Sequence, residues 1–340
     1  MATPGKPRLI ISQGDPAGVG PEIIAKALAR KDMAGKFHPL VLGDSGIFKR
    51  ALKRCGSRLT LREFDSAESA WRAPAGVLPL INPYPLAQAV RPGHWTPETG
   101  MASLAAVCLG VELAQGRPGS ALVTAPICKE AWHAAGAEAP GHTELLAKLT
   151  GCKKFAMLFV GGPFRLVLAT IHEPLARVPK LLTVPGLVQT AAVAVRELQT
   201  RFGIKHPRLA VAGFNPHAGE GGLFGDEEKR VIVPAIKKIR RLPGVQVEGP
   251  FAPDTLFAEA VKGRWDLLLC MYHDQGLIPF KLLALYTGVN VTAGLPIIRT
   301  SPDHGTAFDL AGTGRANEGS LAAALLTAAD MARRQKQLSA

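Results

Sequence analysis

Aromatic residues are scarce, at 6% of 340 positions, and they are not interleaved with the basic ones. Without that interleaving, and without a known binding motif, the charge of the chain does not read as a nucleic-acid surface. No apolar run approaches the length of a membrane span. The opening stretch MATPGKPRLIISQGD has no apolar core of the kind a secretory leader carries. There are only five cysteines, at 55, 108, 128, 152 and 270, an odd number with no CxxC pair. That spacing excludes a disulfide framework or a zinc ribbon, and the expectation is a cytoplasmic protein with reduced thiols. GxGxxG and Walker spacings are missing too, as are internal repeats and low-complexity tracts.

What is present is an ordinary globular composition, 47% hydrophobic and 20% charged, long enough for two domains. The net charge of +13 suits an enzyme with an anionic substrate. Its densest cluster, Lys229 to Arg241, has Ile232, Ala235, Ile236 and Ile239 at helical spacing, so those cations form the wet face of a helix. Short apolar runs alternate with helical patterns along the chain. The predicted class is α/β, with a mixed, largely parallel sheet and a hairpin over 155–171.

Three apolar runs end in a histidine. Leu267 to Met271 stops at Tyr272-His273-Asp274-Gln275-Gly276, Leu166 to Ile171 at His172, and Leu209 to Gly213 before Asn215-Pro216-His217. Open α/β sheets place ligands at such strand ends. Three neutral imidazoles there form a donor set for zinc, cobalt or nickel, although each alone also reads as a structural residue. Asp274 and Asp254 are candidate supporting carboxylates or proton acceptors, and Asp254 also fits a helix N-cap. Arg299 follows another apolar run and, with Lys281 and Asn290, suits a small polyanionic substrate. In Gln13–Glu22 the glycines fit either an anion-binding βα loop or a tight turn. His142 and Thr143 precede a helix, where Thr143 also fits an N-cap.

The segments GDPAGVGPEI (14–23), TAPICKE (124–130), PGHTE (140–144), IHEPL (171–175), NPHAGEGG (215–222), APDTLF (252–257), MYHDQGLIPFK (271–281) and GVNVTAGLPIIRTSPDHGTAFDLAGTG (288–314) run nearly from end to end. Together they resemble the 4-hydroxythreonine-4-phosphate dehydrogenase family of pyridoxal 5′-phosphate biosynthesis. The resemblance implies NAD-dependent oxidation of 4-phosphohydroxy-L-threonine at C3. The product, 2-amino-3-oxo-4-phosphonooxybutanoate, then decarboxylates to 3-amino-2-oxopropyl phosphate. It implies a divalent metal (zinc, magnesium or cobalt) on His172, His217 and His273, and substrate contacts from His142, Thr143, Lys281, Asn290 and Arg299. A homodimer with active sites drawn from both subunits is implied as well.

The family's fold is similar to that of isocitrate and isopropylmalate dehydrogenases, a two-lobed α/β/α arrangement. By that analogy His304, Gly305, Thr306 and Asp309 lie near NAD, or NADP. Residues 1–125 with 285–340 form the nucleotide-side lobe. Residues 126–284 form a middle lobe with the metal ligands and the dimer contact, and a cleft separates the two. Related dehydrogenases of threonate or erythronate 4-phosphate, or of aromatic cis-dihydrodiol carboxylates, are the nearest alternatives. A metal-dependent hydrolase is an alternative of another class.

Overall fold

A computed structural model describes residues 5–338, so the first residues of the stretch read for a leader and the last two of the expected nucleotide-side lobe lie outside the described residues. Twelve strands follow along the chain: β1 (Arg8–Ser12), β2 (His38–Leu42), β3 (Thr60–Glu63), β4 (Val77–Ile81), β5 (Ser120–Thr124), β6 (Ala156–Gly161), β7 (Phe164–Leu168), β8 (Arg208–Ala212), β9 (Gln246–Phe251), β10 (Leu267–Cys270), β11 (Val289–Ala293) and β12 (Arg299–Pro302). The chain divides into two compact units. One holds the described residues up to Lys153 and from Leu295 onward; the other is Lys154–Gly294.

In the first unit the strand order is β3-β4-β2-β1-β5-β12, and every pairing is parallel. Apart from the exposed edge strand β3, the strands are largely buried on both faces. Ile10, Leu40, Leu42 and Leu122 join a core cluster with Ala106, Val107 and Val111 of the helix Pro97–Ala114. Their alternates Leu9, Ile11, Val41 and Val123 are equally buried outside that cluster, and the helix Gly319–Leu338 packs on β1, β5 and β12. This is why the strands read as unbroken apolar runs. The chain winds from β1 to β2 on one side and returns to β5 on the other, so a topological switch point lies between β1 and β5.

In the second unit the order is β11-β6-β7-β10-β8-β9. β11, β6 and β7 pair antiparallel and the rest parallel, so the predicted hairpin is present with Gly162-Pro163 at its turn. One face carries Phe159, Phe164, Leu166 and Leu268, clustered with Phe280 of the helix His273–Ala284; the helix Val184–Thr200 packs on β6, β7 and β11. Among the described residues no single helix is long and apolar enough to cross a membrane.

The unit boundaries at 153/154 and 294/295 fall later than the 125/126 and 284/285 read from the sequence. The helices Lys129–Ala134 and His142–Thr150 pack on Pro97–Ala114, and Trp132, Leu145 and Leu146 belong to the first unit's core. β11 pairs with β6 and stays with the second unit.

The helix Pro97–Ala114 meets Lys129–Ala134 so closely at Gly100 that an added Cβ would lie 2.1 Å from the Ala131 carbonyl oxygen. Gly→Ala inside an exposed helix gains up to about 1 kcal/mol in propensity. Here the clash reverses the sign. Gly100→Ala is expected to destabilise by about 1–3 kcal/mol, read as a lowered Tm; an unchanged or raised Tm would contradict the packing.

Candidate active site

The three histidines expected to share a cation all lie in the second unit. β7 ends at Leu168, short of the apolar run's end at Ile171, and His172 sits in the loop beyond. β10 ends at Cys270, and His273 opens the helix His273–Ala284. β7, β10 and β8 are hydrogen-bonded parallel neighbours, so their carboxyl ends share one edge. Two side chains tie those ends together. Thr170 Oγ1 donates to the Met271 carbonyl (2.8 Å). Buried Gln275 accepts from Met271 N (2.7 Å) and donates to the Gly213 carbonyl (2.7 Å).

The rings of His172 and His273 lie 5.6 Å apart. Behind His273, Asp274 Oδ1 is 2.7 Å from Nδ1. A carboxylate holding the Nδ1 proton leaves Nε2 as the donor atom, the usual support of a metal-binding imidazole. His217 lies in the turn Pro216–Gly222, with its ring 6.1 Å from that of Phe224. Among the described residues no group of three or more His, Cys, Asp or Glu side chains converges on a metal position. One chain therefore assembles a pair of imidazoles. Nitrogen donors backed by a carboxylate fit zinc or cobalt better than magnesium, which takes oxygen.

Asp254 is exposed in the first turn of the helix Pro253–Ala260, where its Oδ1 accepts from Thr255 N (3.0 Å); Ala252, not Asp254, holds the N-cap position. Lys281 is exposed on the helix His273–Ala284. Asn290 lies on β11, and its Oδ1 is enclosed with no hydrogen-bond partner among the described residues.

The first unit holds the other expected substrate residues. Gly141 occupies the N-cap position of the helix His142–Thr150, so Thr143 sits in the first turn and not at the cap. His142 stands edge-on to Trp132, with ring centroids 5.3 Å apart. Its Nε2 is enclosed and has no partner among the described residues. Burial, and then the charges of Arg299 and Lys129, hold its pKa well below the ordinary histidine value, so the ring is neutral at pH 7. Arg299 opens β12, and its buried guanidinium meets Thr124 Oγ1 through Nε (3.2 Å) and Nη2 (2.7 Å). Burial lowers it to about 10, with Glu144 opposing, and it stays charged at neutral pH. A buried guanidinium and a neutral imidazole suit an anionic, hydroxylated ligand.

The Gln13–Glu22 loop also meets the segment expected near NAD. Val19 N donates to the Thr306 carbonyl (3.0 Å), and buried Glu22 accepts from Gly312 N (2.7 Å) and Gly314 N (2.9 Å). A side chain at Gly20 would meet the Gln13 carbonyl oxygen at 2.2 Å, so close backbone approach accounts for that glycine. Exposed His304 holds the Gly305 carbonyl at 2.9 Å, and nothing lies within 4 Å of where a Gly305 Cβ would stand. Exposed Asp309 lies nearby in sequence. Open backbone at Gly305 leaves room for the expected nucleotide.

Asp15, which the sequence reading left without a role, lies fully buried in the loop after β1, at the switch point. It accepts from Ala17 N (2.8 Å) and Thr99 Oγ1 (3.5 Å). Its motif was visible; its burial was not.

The model of the family described as pyridoxal phosphate biosynthetic protein PdxA matches residues 35–328. The 4-hydroxythreonine-4-phosphate dehydrogenase of Desulfosudis oleivorans is 49% identical, over 96% of each chain. The D-threonate 4-phosphate dehydrogenase of Pectobacterium atrosepticum is 41% identical, over 95% of this chain and 99% of that one. The crystal structure of 4-hydroxythreonine-4-phosphate dehydrogenase from Klebsiella pneumoniae superposes with a TM-score of 0.86 at 41% identity, covering 96% of this chain and 100% of that one.

Burial raises the Asp15 carboxyl from 3.8 to about 6, against the hydrogen bonds from Ala17 and Thr99. The native state then binds more protons than the unfolded chain between those values. Stability falls as pH rises through that window and levels above it, a cost on the order of 3 kcal/mol. Asp15→Asn is expected to gain Tm over the parent protein from about pH 4 to 6 and to keep a constant advantage above. A pH-independent difference between the two would contradict this.

Proposed function

The chain belongs to the pyridoxal phosphate biosynthetic protein PdxA family, and on that premise we propose that it oxidises 4-phosphohydroxy-L-threonine at C3 to 2-amino-3-oxo-4-phosphonooxybutanoate. That β-keto acid loses CO2 to give 3-amino-2-oxopropyl phosphate. The carrying observation is 49% identity, along nearly the whole chain, to a dehydrogenase of that name. The chemistry of the expected site residues suits it. Arg299 and Lys281 take the substrate's anionic groups, with the first-turn N–H groups of His142 and Thr143 aiding the phosphate. Neutral His142 and the Asn290 amide oxygen supply hydrogen bonds to the remaining polar groups. Asp274 fixes the tautomer of His273, and the acceptor of the hydroxyl proton is Asp254, Asp274 or a metal-bound water.

His172, His217 and His273 would hold a divalent cation, zinc or cobalt in preference to magnesium; when bound it would supply Lewis acidity at the C3 hydroxyl, and NAD or NADP would supply the hydride acceptor. His304, Gly305 and Thr306 line the nucleotide, and Asp309 bonds a ribose hydroxyl.

The working form is a homodimer, and the protein acts in the cytoplasm. The helix His273–Ala284 and the turn after it expose Ile278 (60%), Leu282 (81%), Leu285 (55%) and Tyr286 (61%). The first three recur at i, i+4 and i+7, a continuous apolar stripe of the kind that marks an interface. It begins on the helix that His273 opens, so a second copy seated there brings its own residues to the histidine pair. The imidazole missing from the pair is supplied across that contact.

A second reading, oxidation of D-threonate 4-phosphate, is favoured by the Pectobacterium relative. NADH formation separates them: the expected result is turnover of 4-phosphohydroxythreonine, abolished by chelation and restored by zinc or cobalt. Turnover of threonate 4-phosphate alone would transfer the assignment to the second reading. For the interface, Leu282→Lys is expected to shift the protein from dimer to monomer in sedimentation and to lower turnover. A variant that remains dimeric would remove this helix from the contact.

A further inference from the structure

The turn that carries His217 has an unusual backbone. His217, Ala218, Gly219, Glu220 and Gly221 all have positive φ, at 51°, 53°, 84°, 42° and 66°. Three of these are not glycine, and a left-handed conformation at such residues persists only where the surroundings over-determine it. The turn carries backbone bonds of its own: Ala218 N donates to the Asn215 carbonyl (3.1 Å), Leu223 N to the Glu220 carbonyl (3.3 Å) and Phe224 N to the Gly219 carbonyl (3.3 Å).

A further hold on the turn comes from outside it. Glu228 opens a single π-turn at Glu228–Ile232 and is buried. Its Oε1 accepts from Phe214 N (2.7 Å) and Asn215 N (2.8 Å), and its Oε2 accepts from Asn215 Nδ2 (2.9 Å). Asn215 Nδ2 also donates to Glu227 Oε2 (2.7 Å). The carboxylate lies directly under the turn, since a Cβ at Gly219 would fall 2.8 Å from Glu228 Oε2. On the other side a Cβ at Gly213 would fall 2.8 Å from Ala218 Cα, so the backbone is clamped between β8 and Glu228. Burying a carboxylate is unfavourable unless its oxygens are satisfied, and this one spends both on the two residues that lead into the left-handed turn.

We propose that Glu228 is a positioning residue for His217: its carboxylate, with Asn215, locks the strained turn that aims the imidazole at the cation. This rests on the reading of His217 as a metal ligand. Glu228 touches neither substrate nor cation in this account. It acts through the backbone of Phe214 and Asn215, and its loss is felt as a change in metal binding.

Cobalt titration by calorimetry on the full-length protein, with the visible cobalt spectrum as a second readout, tests this. Glu228→Gln keeps the shape but sets an N–H donor against those of Asn215. It is expected to weaken cobalt binding by about tenfold or more, the range seen when groups supporting metal ligands are lost. Adding Ala218→Gly and Glu220→Gly should restore most of the affinity, because glycine adopts positive φ without strain and the turn then needs no lock. If Glu228→Gln does not fold, Asn215→Ala replaces it. That variant leaves the two backbone bonds to Oε1 and removes the side-chain tie, and weakened cobalt binding is again expected. Unchanged cobalt affinity and spectrum in the folded Glu228 or Asn215 variant, with His217→Ala binding poorly, would overturn the proposal alone. Unchanged cobalt affinity in His217→Ala would overturn the histidine reading beneath it.

Discussion

The second unit depends on the register of three adjacent strand ends. β7, β10 and β8 each lead into a segment that carries one of the three candidate histidines, and the ends of those strands are fixed against one another. Backbone ladder bonds stop where the strands stop. Beyond that point Thr170 reaches from the β7 side to Met271, and Gln275 reaches from Met271 to Gly213 on the β8 side. Each bond satisfies a backbone group that would otherwise be buried unpaired, at a cost of about 1–3 kcal/mol. The same bonds therefore close the sheet and aim its loops.

The first unit solves a different problem, which is to keep a cation inside a core. Arg299 is 3% exposed, on a strand whose neighbours are apolar. Thr124 offers a hydroxyl to the guanidinium, and nearby His142 stays neutral, first because it is buried and then because of the Arg299 charge. A protonated imidazole there would repel the guanidinium, and a second buried charge would carry its own desolvation penalty. One permanent charge beside one neutral, adaptable ring is a stable way to present a site to an anion. Asp15, buried in the same unit at the switch point, is likewise unfavourable when ionised.

Much of this was legible from residue order alone. Buried strands appear as apolar runs because helices cover both faces, and the polar residues that end those runs stand out for that reason. His172, His273, Arg299 and the loop at Gln13–Glu22 were all found this way. Gln275 stood in plain view within His-Asp-Gln-Gly, but its role required knowing which strand lies beside β10. Asp254 and Thr143 each matched an N-cap pattern, yet neighbouring residues hold those caps, since a one-residue shift in helix start leaves the local composition unchanged. The exposed stripe at Ile278, Leu282 and Leu285 was hidden because helical spacing of apolar residues looks the same whether the face meets a core or a partner.

Residue order by itself determined the α/β class, the family and the set of candidate site residues, because periodicity and motif are properties of the chain. Only tertiary structure decided which of them meet. His172 and His273 are about a hundred residues apart, and their rings come within 5.6 Å because β7 and β10 happen to be neighbours in the sheet. His217 is held by a carboxylate eleven residues downstream through backbone that no side-chain pattern describes. Strand adjacency and positive φ are set by packing across the whole unit, where each contact depends on many others, and no local stretch encodes them.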